Sequence, residues 1–270
     1  MRSKSARAAQ LLASVAVAAV LALSVAGCKT TGDDITGSVT AAGAPRSDSD
    51  WRKQVELWSG RYRDNPSDPD TAMAYARALR ATDQRAQAVA VLEQASIRNP
   101  HNMPLLGDYG RALAAAGNYN QALDVLGRAH TPDQPDWRIL NAQGAVLDQL
   151  GRHSEAQRHY SAALKIKPDE PSILSNLGLS YALSKDLRRA EATLRQAMGR
   201  PNAGPKVRQN LALVVGLEGR FVEAEKIASA DLPVDQAAAN VRYLREMLAQ
   251  RGGPSKKGAR AHVPPPDAGT

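Results

Sequence analysis

The sequence predicts an all-α protein, a solenoid of helix-turn-helix units, on three observations. Alanine is abundant while aromatic residues make up 4% with a single Phe, a composition that suits close-packed helices better than strands. Small residues recur at a constant step of 34: Ala76, Gly110, Gly144, Gly178 and Ala212 form one series, Ala88, Ala122, Ala156, Ala190 and Ala224 a second, and Ala95, Ala129, Ala163 and Ala197 a third. Turn positions keep the step at Gly117, Gly151 and Gly219, with Asp83 and Lys185 in the two remaining slots. Antiparallel helices reach the close end of their usual separation of about 8–10 Å only where the contact residues are Gly or Ala, so the series mark helix crossings.

Taken in order, the chain opens with Arg2, Lys4 and Arg7, followed by an apolar run from about Ala8 to Ala26 that ends at Val25-Ala26-Gly27-Cys28. Basic stretch, apolar run and small residues are the grammar of an export signal, assigned here to residues 1–27. The run reaches the shortest membrane-spanning length of about 17 residues, so an uncleaved anchor is the competing reading. For Cys28 the competing reading is an inert buried thiol. The small residues ahead of this one cysteine resemble the lipobox of bacterial lipoproteins. That resemblance implies cleavage before Cys28, acylation of its thiol and an anchor of three acyl chains, where one chain alone would bind a membrane marginally. Lys29 in place of Asp implies sorting to the outer membrane, with the body facing the periplasm.

Residues 28–49 are small and polar without hydrophobic period, which predicts a disordered tether reaching roughly 25 Å. Residues 50–68 read as an amino-terminal half-repeat, because Trp51, Val55 and Trp58 keep helical spacing and Asn65-Pro66 stands where a unit would end. Five units follow at 69–102, 103–136, 137–170, 171–204 and 205–236. Leu79, Leu113, Leu147, Tyr181 and Val215 are the larger core residues of the first helices, and Leu92, Leu126, Tyr160 and Leu194 those of the second. Pro100 and Pro168 close units, while Pro135, Pro171 and Pro205 favour the first turn of the next helix. The fifth unit departs from the pattern, with Ala228 in place of a larger residue and Asp231 in place of Ala, so its second helix is expected to stop near Ala230. A capping helix over 237–250 carries one apolar stripe, Ala237, Val241, Leu244 and Leu248. Residues 251–270, with Lys256, Lys257 and three consecutive prolines, read as a disordered basic tail.

The units resemble the tetratricopeptide repeat, which implies a right-handed superhelix whose groove is lined by the first helix of each unit. At its groove positions this chain holds Met73, Arg77 and Arg80, then Asp108 and Arg111, Asn141 and Asp148, Ser175, Asn176 and Leu179, and Lys206, Gln209 and Asn210. The candidate partner-binding residues are Arg77, Arg80, Arg111, Asn141, Asn176, Gln209 and Asn210. Amides offer donor and acceptor to an extended backbone and guanidinium forks onto carboxylate, so a partner segment with acidic residues is expected. Ordinary solvated side chains are the competing reading.

The strings Leu140-Asn-Ala-Gln-Gly144 with Asp148-Gln-Leu-Gly151, Ser175-Asn-Leu-Gly-Leu-Ser-Tyr181 and Ala238-Ala-Asn-Val-Arg-Tyr-Leu244, with the lipobox and Asp34-Ile-Thr-Gly-Ser, are similar to the TadD lipoproteins of the tight-adherence (Flp) pilus machinery. The resemblance implies an outer-membrane scaffold that helps assemble or position the secretin and other pilus-assembly proteins. An adaptor lipoprotein for outer-membrane protein insertion or for murein hydrolases is the alternative. A co-chaperone clamp for carboxyl-terminal peptides lacks its set of Lys and Asn.

The formal charge of +8 is concentrated at the two ends, and no predicted helix interleaves basic and aromatic residues, which argues against nucleic acid as a partner. A single cysteine excludes an internal disulfide. No two of the five histidines stand four residues apart, and His153 and His159 fall on different faces of a helix, so neither a metal nor a cofactor is expected. With no catalytic constellation in sight, the expectation is a protein that is not an enzyme and takes no small-molecule substrate.

Overall fold

The computed structural model describes residues 47–252, which form twelve α-helices; the isolated bridge between Thr131 and Gln134 is the β-type pairing among them. The helix α1 (Asp48–Asp64) is followed by five antiparallel pairs: α2 (Pro69–Ala81) with α3 (Arg85–Arg98), α4 (Met103–Ala115) with α5 (Tyr119–Arg128), α6 (Trp137–Gln149) with α7 (His153–Ile166), α8 (Pro171–Leu183) with α9 (Leu187–Met198), and α10 (Pro205–Leu217) with α11 (Phe221–Ala228). A last helix, α12 (Val234–Gly252), closes the array. Residues 1–46 and 253–270 lie outside the described residues, and with them the export signal, Cys28, most of the tether and nearly all of the basic tail. No described helix is long and apolar enough to cross a membrane.

Local chemistry starts and stops these helices. Asp68, Asn102 and Asp136 accept backbone N–H groups at the starts of α2, α4 and α6, and Pro69, Pro171 and Pro205 occupy first-turn positions where no N–H is needed. Ser47 caps α1 through Asp50 N at 3.1 Å, which begins that helix at Asp48, two residues ahead of the expected start. Each reversal inside a pair passes through a left-handed residue: Gly117, Gly151 and Gly219 have φ of 84°, 73° and 85°, and Asp83 and Lys185 take 61° and 67°. The recurrence of turn residues therefore has a backbone cause.

Packing at the crossings explains the small-residue series. Ala88, Ala122, Ala156, Ala190 and Ala224 are all fully buried. Opposite them, Gly110 faces Leu126, Gly144 faces Tyr160 and Gly178 faces Leu194. A Cβ built on Gly144 would lie 2.6 Å from the Tyr160 ring, closer than real carbon contacts come, so the bulk of the crossing is supplied from one side only.

The two ends differ from the middle. At the 34-residue step where complete units bury Ala88, Leu92 and Ala95, α1 carries Gln54, Trp58 and Arg61. The Trp58 indole N–H donates to Gln54 Oε1 at 2.9 Å, and the Arg61 guanidinium lies 4.7 Å over the Trp58 ring. The helix packs on the core at α2 through Val55, Trp58 and Tyr62, the last with its ring 5.7 Å from that of Tyr75. At the carboxyl end, Ala228 is small so that Ala237 of α12 can be buried against Ala212 and Ala228. The α11 helix ends at Ala228, two residues earlier than expected, and Pro233 then forbids continuation and restarts the chain at Val234. Asp231 stands outside the helix and pairs with Arg208, whose Nε lies 2.6 Å from its carboxylate. Consecutive first helices pack on each other along the array while consecutive second helices do not come as close, so the array curves with α2, α4, α6, α8 and α10 on its inner side.

Candidate partner-binding groove

The seven groove candidates lie on those inner helices, but their side chains are not equally available. Arg77 on α2 and Lys206 on α10 are exposed at opposite ends of the row. Met73, Arg80, Leu179, Gln209 and Asn210 are half-buried. Arg111 is ion-paired to Asp108 one turn earlier on α4, and both side chains are about one-fifth exposed, so its fork is already occupied.

The amides of the middle units tie neighbouring helices together. Asn141 is fully buried and its Oδ1 accepts from Asn176 Nδ2 at 3.0 Å, across the gap from α8 to α6. Asn210 Nδ2 on α10 donates in the same way to Ser175 Oγ on α8 at 2.9 Å. Asn141 Nδ2 and Gln143 Oε1 are buried without a partner in the structure. Asn141 is thus an internal link between units rather than a side chain displayed to a ligand, because the inner helices approach closely enough for amide to reach amide. Replacing it would loosen a seam as well as alter the groove.

Asp148, assigned from the sequence to the groove, turns inward instead. Its side chain is 7% exposed. It accepts from the Tyr160 hydroxyl at 3.0 Å and from Ser180 Oγ at 2.8 Å, and His153 Nδ1 lies 2.8 Å away. Burial pushes its carboxyl above the ordinary value of 3.8, with the hydrogen bonds from His153, Ser180 and Tyr160 opposing. This knot joins α6, α7 and α8, and sequence reading misses it because Tyr160 and Ser180 stand 12 and 32 residues away. His153 belongs to it, while His159 lies farther along α7 in the same third unit; among the described residues no group of three or more His, Cys, Asp or Glu is poised for a metal ion.

Comparison with known proteins agrees with this geometry. Residues 79–144 match the family described as "Tetratricopeptide repeat", and residues 144–184 match that described as "TPR repeat". Residues 79–184 thus carry tetratricopeptide repeats. Among solved structures, this tetratricopeptide array is similar to PilW, described as a widely conserved type IV pilus biogenesis factor, at 16% identity and a TM-score of 0.63 over 72% of this chain and 91% of that one. A thermophilic tetratricopeptide-repeat protein of Thermus thermophilus superimposes with a TM-score of 0.55 at 21% identity, covering 62% of this chain and 91% of that one. The Cut9–Hcn1 hetero-tetramer of the APC/C gives 0.58 at 16% identity over 73% of this chain, which spans 40% of that longer one. No curated protein matches the sequence. At these identities the likeness establishes the fold.

Proposed function

We propose that this tetratricopeptide protein is a lipid-tethered docking scaffold of the bacterial envelope, of the TadD-like kind that holds components of a tight-adherence pilus, its secretin among them, at the periplasmic face of the outer membrane. The observation that carries the reading is the inner row of first helices, which presents exposed cations at its two ends, Arg77 and Lys206, with half-buried polar side chains such as Gln209 and Asn210 along it. Such a row suits an extended segment with acidic residues. The lipobox-like Val25-Ala-Gly-Cys28 supports the tether, and the pilus biogenesis role of PilW is in keeping with the choice of partner.

Two experiments test it. Arg77→Glu combined with Lys206→Glu is expected to reduce capture of the secretin from detergent-solubilised envelopes by about tenfold or more, since like charges are then brought together, while the circular dichroism stays that of the wild type. Undiminished capture by the folded variant would move the functional surface off the inner row. Cys28→Ala is expected to abolish labelling by a palmitate analogue and release the body from the membrane fraction; equal labelling of variant and wild type defeats the lipoprotein reading.

A further inference from the structure

Two histidines flank the junction of the second and third units. His130, just after α5, occupies the position of Ser96, Leu164, Met198 and Leu232 in the other units, and His159 on α7 that of Val91, Val125, Thr193 and Ile227. The equivalent pair two seams along, Met198 and Ile227, is apolar and packs on one core cluster. Here the Nδ1 atoms of both rings are buried and meet no hydrogen-bond partner. The rings are close enough for charge on one to oppose charge on the other, and burial first, then His130, holds His159 below its ordinary value of 6.5.

The surroundings offer an added proton almost nothing. On α7 the charged neighbours of His159 are Arg152, Glu155 and Arg158, and across the seam it faces His130. Beside His130, an open cleft is lined by His101 and Arg128 with Pro100, Met103 and Thr131. Glu155 is the acid in this set, and its carboxylate is held by the Arg152 fork at 2.7 Å through both oxygens, with Arg158 3.9 Å away. A proton on either buried Nδ1 would create a charged N–H facing cations and no acceptor.

We infer that the seam between the second and third units is an acid-sensitive joint, closed around the buried, unpartnered His159 imidazole and loosened when that ring takes up a proton in mild acid. A lowered histidine value means that the open or unfolded chain takes the proton first. The seam is therefore fully stable above 6.5, and its stability falls as pH drops through 6.5 toward the lowered folded value. The joint divides α1–α5 from α6–α12 and so acts on the curvature of the inner row.

The test compares the full-length protein with His130→Leu/His159→Val, which installs the residue types of the neighbouring units, at about pH 7.5 and about pH 5.5. The wild-type thermal midpoint is expected to fall by about 5 °C on acidification, with amide exchange rising between residues 122 and 166, and the variant is expected to lose at least half of both effects. An equal fall in the two proteins, or a rise in exchange spread evenly along the array, overturns the proposal. If the double variant does not fold, the imidazole titration of His159 followed by NMR in the wild type decides: a midpoint below 6.5 supports the joint and one at or above it overturns it.

Discussion

Gly144→Leu is expected to destabilise the protein by about 3 kcal/mol or more, measured as a lower denaturant midpoint with an unchanged m-value. The Tyr160 ring lies 2.6 Å from where the first added carbon would go, and that ring cannot retreat, because it is almost entirely buried and its hydroxyl is bonded to Asp148. Gly144→Ala separates this cause from helix propensity. An alanine in an unobstructed helix gains about 1 kcal/mol over glycine, so Gly127→Ala, where nothing lies within 4 Å of the new Cβ, is expected to stabilise while Gly144→Ala destabilises. The same sign at both positions would mean that the crossing has room. Because such arrays cohere through neighbouring interfaces, the loss at Gly144 is expected to lower protection in α6–α8 before the ends.

Asp148→Leu is expected to cost about 3 kcal/mol or more, since the buried Tyr160 hydroxyl and Ser180 hydroxyl lose their acceptor together and each orphaned group costs about 1–3 kcal/mol. Asp148→Asn keeps one carbonyl and should cost less. The carboxyl's folded value is raised, so its contribution to stability is present below 3.8 and is lost as pH rises through the raised value; Asp148→Asn is expected to remove that dependence from the stability profile. Urea titrations of the three proteins between about pH 3.5 and about pH 7 read both effects. Equal stability of wild type and Asp148→Leu would show that the knot carries no net energy.

The repeat was legible because its cause is steric and recurs. Gly110, Gly144 and Gly178 each lie under a large side chain sixteen residues on, and the left-handed turns at Gly117, Gly151 and Gly219 repeat with the same step. The chemistry of the inner row was less legible. Asn141 and Asp148 stand at groove positions and are polar, so periodicity alone gives them to solvent; only the approach of α8 to α6 reveals that Asn176 and Ser180 reach them. The seam histidines were missed, because a search for two ligands on one helix face passes over a pair contributed by neighbouring units.

The bulk at Gln54, Trp58 and Arg61 makes the amino end a stopper. A further first helix would need alanine-like clearance there, yet it would meet an indole with an amide bonded to its N–H and a guanidinium over its face. At the other end α12 seals the fifth unit by burying Ala237, Val241 and Leu244 and turning Arg242, Arg245 and Glu246 outward. Neither described end presents the alanine-lined face that a further unit would pack on. The array's length is a fixed gauge, so whatever it holds along its inner side is held over a span that the number of units sets in advance.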